Sequence, residues 1–174
     1  GADLVRSYFY PRYYYEREYF TQRNPAVKID LHCRPFCLLR YARTVPDEAM
    51  WSNCREVQLA GLTVQIPGPE EMLIHLAVHA ACHGNSELRW LYDIRLWLER
   101  FGHEIDATRL ADKCRRWRLS LPVHRALKKT RELFGHGGEQ LDAAILATNH
   151  VAGPLDRIAL ATAHWGPEAP VLRT

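Results

Sequence analysis

The chain has 174 residues, of which 47% are hydrophobic and 25% charged, with 23 Lys and Arg against 20 Asp and Glu. That length closes one domain, or two small subdomains sharing a core, and this composition excludes a disordered or fibrous chain. A formal charge of +3 suits an anionic substrate but falls short of a dedicated nucleic-acid binder, and no run of ~18 apolar residues marks a membrane span.

In chain order, Leu4, Val5, Tyr8 and Phe9 stand at helical spacing and predict a helix over 1–10 that Pro11 ends. Tyr13 to Phe20 mixes aromatic and charged residues of good strand propensity. Asn24-Pro25 is a turn signal, so this stretch forms a hairpin with the strand after the turn. Aromatics interleaved with Arg12, Arg17 and Arg23 suit base stacking, although Tyr-rich strands more often pack a sheet. Residues 26–34 alternate strictly, with Val27, Ile29, Leu31 and Cys33 on one face and Lys28, Asp30, His32 and Arg34 on the other. A period of two is the pattern of a half-buried strand, with the apolar face inward. The exposed face then sets a carboxylate and an imidazole between two cations, the arrangement an anionic ligand with a divalent metal requires; a plain solvated face is the other reading.

A polar loop over 43–53 takes Trp51 as its anchor, and 55–59 and 62–66 alternate around Ala60-Gly61 as a second hairpin, giving a sheet of about four strands. From Pro67 the period changes to helical. Pro69-Glu70-Glu71 opens a helix with proline in the first turn and acids at its positive end. Met72, Leu73, Leu76, Ala77 and Ala80 make its apolar face, and Gly84-Asn85 closes it. Further helices are expected over 87–100, 106–117, 122–134, 139–150 and 155–164. The organisation is a sheet-containing part over 1–66 and a helical part over 67–174.

Cys33, Cys37, Cys54, Cys82 and Cys114 show no Cys-x-x-Cys and read as reduced packing thiols of a cytoplasmic protein. His75, His79 and His83 recur every four residues on one helix side, either bonded to neighbouring sheet and loop groups or forming a polar wall beside a ligand. A hydrolytic zinc motif needs a glutamate that His79-Ala80-Ala81-Cys82-His83 lacks. Arg89 and Asp93 are an i, i+4 pair with two readings: exposed, it contributes only about a few tenths of a kcal/mol, and buried, the carboxylate orients the guanidinium toward a phosphate, with Trp90, Leu91, Ile94 and Trp97 as the buried stripe. Arg118 and His124 are similar to the Arg/His pair of helical ribonuclease toxins, but Leu121-Pro122 interrupts the spacing. No phosphate-binding glycine loop and no nucleophile elbow occurs.

Val27-Lys28-Ile29-Asp30-Leu31-His32, Pro69 to Leu76, His79 to Gly84 and Leu88 to Ile94 together resemble a bacterial family of uncharacterised nucleotidyltransferases in the polymerase-beta-like superfamily. The likeness in order and spacing runs from residue 26 to about 130. It implies an α+β fold, with a small mixed sheet followed by a C-terminal helical bundle. It also implies two Mg2+ ions held by three carboxylates, two from an Asp-x-Asp and a third on a neighbouring strand. Asp30 matches that third carboxylate and is the expected catalytic and metal-binding residue. Gly1 matches the glycine of the phosphate-contacting turn, while Lys28, Arg34 and Arg89 are the expected phosphate contacts and His83 lines the pocket.

The chain departs from the family pattern at one place, for Tyr10-Pro11 runs directly into Arg12-Tyr13 and no Asp-x-Asp occurs anywhere. Two accounts stand: a segment is missing near residues 10–13, or the fold has become a non-catalytic module. The implied function is transfer of a nucleotidyl group from a nucleoside triphosphate to an acceptor that the sequence leaves open as protein, RNA or small molecule. The alternatives are a nucleotide- or partner-binding module without turnover and a toxin or antitoxin component acting on RNA.

Overall fold

A computed structural model of the chain describes residues 4–7, 16–22, 27–32, 34–36, 41, 44–135, 137–148 and 153–161. Two sheets form among these residues. β1 (Leu4–Ser7), β2 (Glu16–Thr21) and β3 (Lys28–His32) pair in the order β1-β2-β3, and β4 (Arg55–Leu59) pairs with β5 (Leu62–Ile66) separately. All the described pairings are antiparallel. The α+β class therefore holds, with strands divided between two small sheets where the sequence predicts one.

Residues 4–7 correct the expected opening helix. Leu4 pairs with Thr21 and Ser7 with Glu18, so β2 supplies the backbone partners that a helix would have found within itself. A ten-residue helix is marginal alone, and its spacing of apolar residues does not outweigh an available strand edge. The junction over 10–13 lies outside the described residues. The hairpin between β2 and β3 forms as expected, and Thr21 closes it twice. Its N–H donates to the Val27 carbonyl at 3.0 Å, and its Oγ1 accepts from the Val27 N–H at 2.9 Å.

The apolar face of β3 is not buried. Val27, Ile29 and Leu31 are 54, 43 and 53% exposed, and Tyr19, Phe20 and Thr21 of β2 are only half-buried. His32, on the opposite face, is itself exposed but stands near enough to α2 for its charge to act on His75 and His79.

The core is helical. α1 (Asp47–Trp51) precedes β4, and its expected anchor Trp51 is 57% exposed. Val45 and Met50 are buried instead, because α1 turns that side toward the core. α2 (Pro69–Cys82) packs against α3 (Leu88–Phe101) and α5 (Ser120–Phe134). α4 (Ala107–Arg116) and α6 (Glu139–Ala147) close the other side, and α7 (Pro154–Ala161) comes last. Leu73, Ile74 and Ala77 of α2, Ile94 of α3, Leu110 of α4 and Leu127 of α5 are fully buried. Being covered from several sides, α2 also buries Glu70 and Glu71. Met72 and Leu76 instead line an open groove with Leu96, Trp97 and Phe101.

The two buried acids tie α2 to α4. Glu70 Oε1 accepts from the Asp106 N–H at 3.1 Å and from Arg109 Nη2 at 2.9 Å; Glu71 Oε1 accepts from Lys113 Nζ at 2.6 Å and Asn53 Nδ2 at 3.0 Å. Burial alone would raise the Glu70 carboxyl, but the Asp106 N–H, its own backbone N–H and the charges of Lys113 and Arg109 outweigh it and hold it low. Gly68, just before α2, has no room for a side chain: a Cβ there would stand 2.8 Å from the Asn53 carbonyl and 2.8 Å from Glu71 Oε2. Burial pushes the Cys114 thiol up to about 12, which leaves it a packing residue at neutral pH.

Candidate active site

Strand register builds the first wall. In the β2–β3 ladder Glu18 lies directly across from Asp30, Glu16 from His32 and Phe20 from Lys28. Directly opposed residues share a sheet face, so Glu16, Glu18, Asp30, His32 and Lys28 belong to one side. Opposed carboxylates repel in a ladder unless a cation lies between or beside them. The Glu16-Arg17-Glu18 pair escapes a reading that searches for Asp-x-Asp; its signal is an acidic spacing of two inside an aromatic strand, next to a hairpin turn.

The second wall is the imidazole stripe of α2. His75 and His79 have ring centroids 6.2 Å apart, and His79 and His83 4.8 Å apart. Phe36 stacks on His75 at 6.0 Å, while Trp90 from α3 meets His79 edge-on at 4.3 Å and lies nearly parallel to His83 at 5.6 Å. His75 is held below its ordinary pKa by burial and then by the charge of His32, against a hydrogen bond to the Pro35 backbone. His79 is lowered to about 4 by burial and by the charges of His83, His75, His32 and Arg89. Imidazole protonation is thus disfavoured at the centre of the stripe. These mutual effects also place His32 of β3, the α2 histidines and Arg89 in one neighbourhood.

The expected site residues divide accordingly. Lys28 and Asp30 lie on the strand that approaches the stripe through His32, and His83 and Arg89 lie at its far end. Arg34 is half-buried just beyond β3, and Gly1 lies outside the described residues. Arg89 does not take Asp93 as its partner: Nη2 meets Glu87 Oε2 at 2.6 Å, and the guanidinium lies 4.4 Å from the centre of the Trp90 ring. Asp93 instead lines the groove beside Arg100. His124 does not face Arg118, since Asp142 Oδ1 holds its Nδ1 at 2.7 Å and Arg131 Nη2 holds the other carboxylate oxygen at 2.7 Å. Cys33 and Cys37 lie outside the described residues. Among the described residues no group of three His, Cys, Asp or Glu is arranged to hold a metal ion.

A family model described as uncharacterised nucleotidyltransferase matches residues 5–135. The chain belongs to that family. The matched span of this nucleotidyltransferase family begins in β1 and ends at Gly135, the left-handed cap of α5, so it includes the carboxylate strands, the imidazole stripe and Arg89. No curated protein and no solved structure matches the chain. Among the described residues no helix is long and apolar enough to cross a membrane.

Proposed function

We propose that this nucleotidyltransferase-family chain transfers a nucleotidyl group from a nucleoside triphosphate to an acceptor hydroxyl, with Mg2+ bound at β2 and β3. The observation that supports this most is the ladder itself, in which Glu18 opposes Asp30 and Glu16 opposes His32. By backbone register Glu16, Glu18 and Asp30 belong to one sheet face, their carboxylates are hard oxygen donors of the kind Mg2+ takes, and in this proposal they take the place of the Asp-x-Asp the sequence lacks. Asp30, Glu18 and Glu16 would hold the metal, which when bound neutralises phosphate charge and activates the attacking oxygen.

The remaining tasks fall to the chain's own residues. Lys28, Arg34 and Arg89 hold the phosphates by charge-assisted hydrogen bonds, and His83 lines the pocket. Asp30 accepts the proton of the acceptor hydroxyl. The acceptor oxygen bonds to the α-phosphorus, and the bond to the bridging oxygen breaks with release of pyrophosphate. Neutral imidazoles of the stripe border this space without adding positive charge.

The test is Asp30→Asn, assayed by transfer of labelled nucleotide and release of pyrophosphate from ATP in the presence of Mg2+. Transfer should fall by about a hundredfold or more, the scale on which a metal-held charge contributes to catalysis. Unchanged transfer would remove Asp30 from the site. Tight nucleotide binding with no pyrophosphate release from either form would favour the second reading, a binding module, which the missing Asp-x-Asp supports.

A further inference from the structure

The groove between α2 and α3 is floored by Met72 and Leu76 from one helix and by Leu96, Trp97 and Phe101 from the other, and offers about 390 Å3 open to solvent. Leu96 stands in it 43% exposed. Residues 93, 96, 97 and 100 recur at helical spacing and share one side of α3, so Asp93 and Arg100 line the same groove. Two turns, about 10 Å of helix, keep these two charges from meeting each other. Their other local partners are taken. One turn before Asp93, Arg89 meets Glu87 at 2.6 Å; one turn after Arg100, Glu104 meets Arg55 at 2.9 Å. Among the described residues neither Asp93 nor Arg100 makes a hydrogen bond or an ion pair. Asp93 is half-buried, where a carboxylate without a partner is costly.

We propose that two copies of the chain meet on this face, α3 against α3, antiparallel about a two-fold axis. An axis passing between Leu96 and Trp97 sets Asp93 of each copy against the partner's Arg100 and Leu96 of each against the partner's Trp97. One rotation thus satisfies both charges and both apolar groups, with the same surface used twice, as an isologous interface requires. Charge also selects the orientation. In a parallel pair Asp93 would face Asp93 and Arg100 would face Arg100, and like charges across an interface repel. Antiparallel helices set their dipoles in opposition as well. The exposed Leu96 then enters the groove of the other copy over Met72 and Leu76, a ridge filling a groove. Trp97 is suited to anchor the contact, because its indole N–H already donates to the Pro69 carbonyl at 3.1 Å. The ring is therefore fixed before association and loses little freedom on it.

The experiment is sedimentation velocity of the full chain at low salt, from micromolar to hundreds of micromolar protein. Wild type should pass from monomer to dimer as the concentration rises. Asp93→Arg and Arg100→Asp each set like charges together at both ends of the interface and should each weaken the dimer by about tenfold or more. The double variant Asp93→Arg/Arg100→Asp restores opposite charges with their signs exchanged and should return to within about threefold of wild type. Leu96→Glu should leave a monomer. A wild type that stays monomeric at every concentration overturns the proposal and leaves the groove to a different partner. A dimer that the single reversals or Leu96→Glu leave intact, or a double variant no tighter than the singles, overturns it too, since the copies then meet on another face. If a reversal at Asp93 does not fold, Leu96→Glu still decides, because Leu96 is exposed and its replacement spares the core.

Discussion

The helices and the three-stranded sheet dispose of their apolar residues in opposite ways. Ile74, Ile94 and Leu127 are wholly buried, whereas Val27, Ile29 and Leu31 of β3 are about half exposed. The residues that hold the helices together are therefore not those to which the proposed metal site is given. The acidic and basic residues of β2 and β3 lie on a sheet in which Tyr19, Phe20, Val27, Ile29 and Leu31 all stay outside the buried core. Local opening follows local burial, so β3 should open at lower cost than the helices.

The largest effect that sharpens this contrast is on stability. Leu127→Ala removes a fully buried side chain of α5 and should cost about 2–5 kcal/mol in urea unfolding. Leu31→Ala removes a half-exposed one and should change stability by no more than about 0.5 kcal/mol. A loss at Leu31 comparable to that at Leu127 would break the comparison, because it would mean that the apolar face of β3 is covered in solution.

A smaller effect is set by pH. The folded pKa of His79 is about 4 against an ordinary 6.5, so between these values the unfolded chain binds a proton that the native protein does not. Stability is full above about pH 6.5 and falls as the pH drops toward 4. His75, shifted in the same direction, adds to the slope. Glu70 acts lower down: its depressed carboxyl stabilises the fold above its ordinary 4.5, and that contribution is lost as the pH falls further. His79→Phe keeps the ring and removes the proton site, so the urea midpoint should depend less on pH between 7 and 4.5 than in the wild type. An unchanged slope would show that His79 is not buried among those neighbours in solution.

Helices were legible in the sequence because their signals are local. Pro69 at the first turn of α2, Asp106 capping α4 through the Arg109 N–H at 2.9 Å, and the left-handed Gly135 ending α5 all act within one turn. Burial of Glu70 and Glu71 was not legible, because their partners Arg109 and Lys113 stand about forty residues away in α4. The same holds for the site. Asp30, His83 and Arg89 stand out by motif, whereas Glu16 and Glu18 gain meaning only from the register of β2 against β3. Period alone also misjudged the apolar face of β3, which is about half exposed, since alternation says that two faces differ but not what lies against either.

The smallest effect asks on which side of the contrast the second hairpin falls. Ala60 and Gly61 both have positive φ, 50° and 81°, the conformation of a two-residue type I′ turn between Leu59 and Leu62. Gly61 adopts it freely, but Ala60 is strained there, and asparagine tolerates this region better. Ala60→Asn should therefore raise the stability of the hairpin by about 0.5 kcal/mol. Like β3, this hairpin exposes apolar side chains, with Leu59 65% and Leu62 67% accessible. It is tied to the helices, for Arg55 meets Glu104 at 2.9 Å and lies 4.7 Å from the centre of the Phe101 ring. If those contacts make β4 and β5 part of the cooperative helical unit, the gain will appear in global urea unfolding as well as in amide exchange. If exchange slows within the hairpin while the global midpoint stays fixed, β4 and β5 open independently, and Arg55 does not couple them to α3.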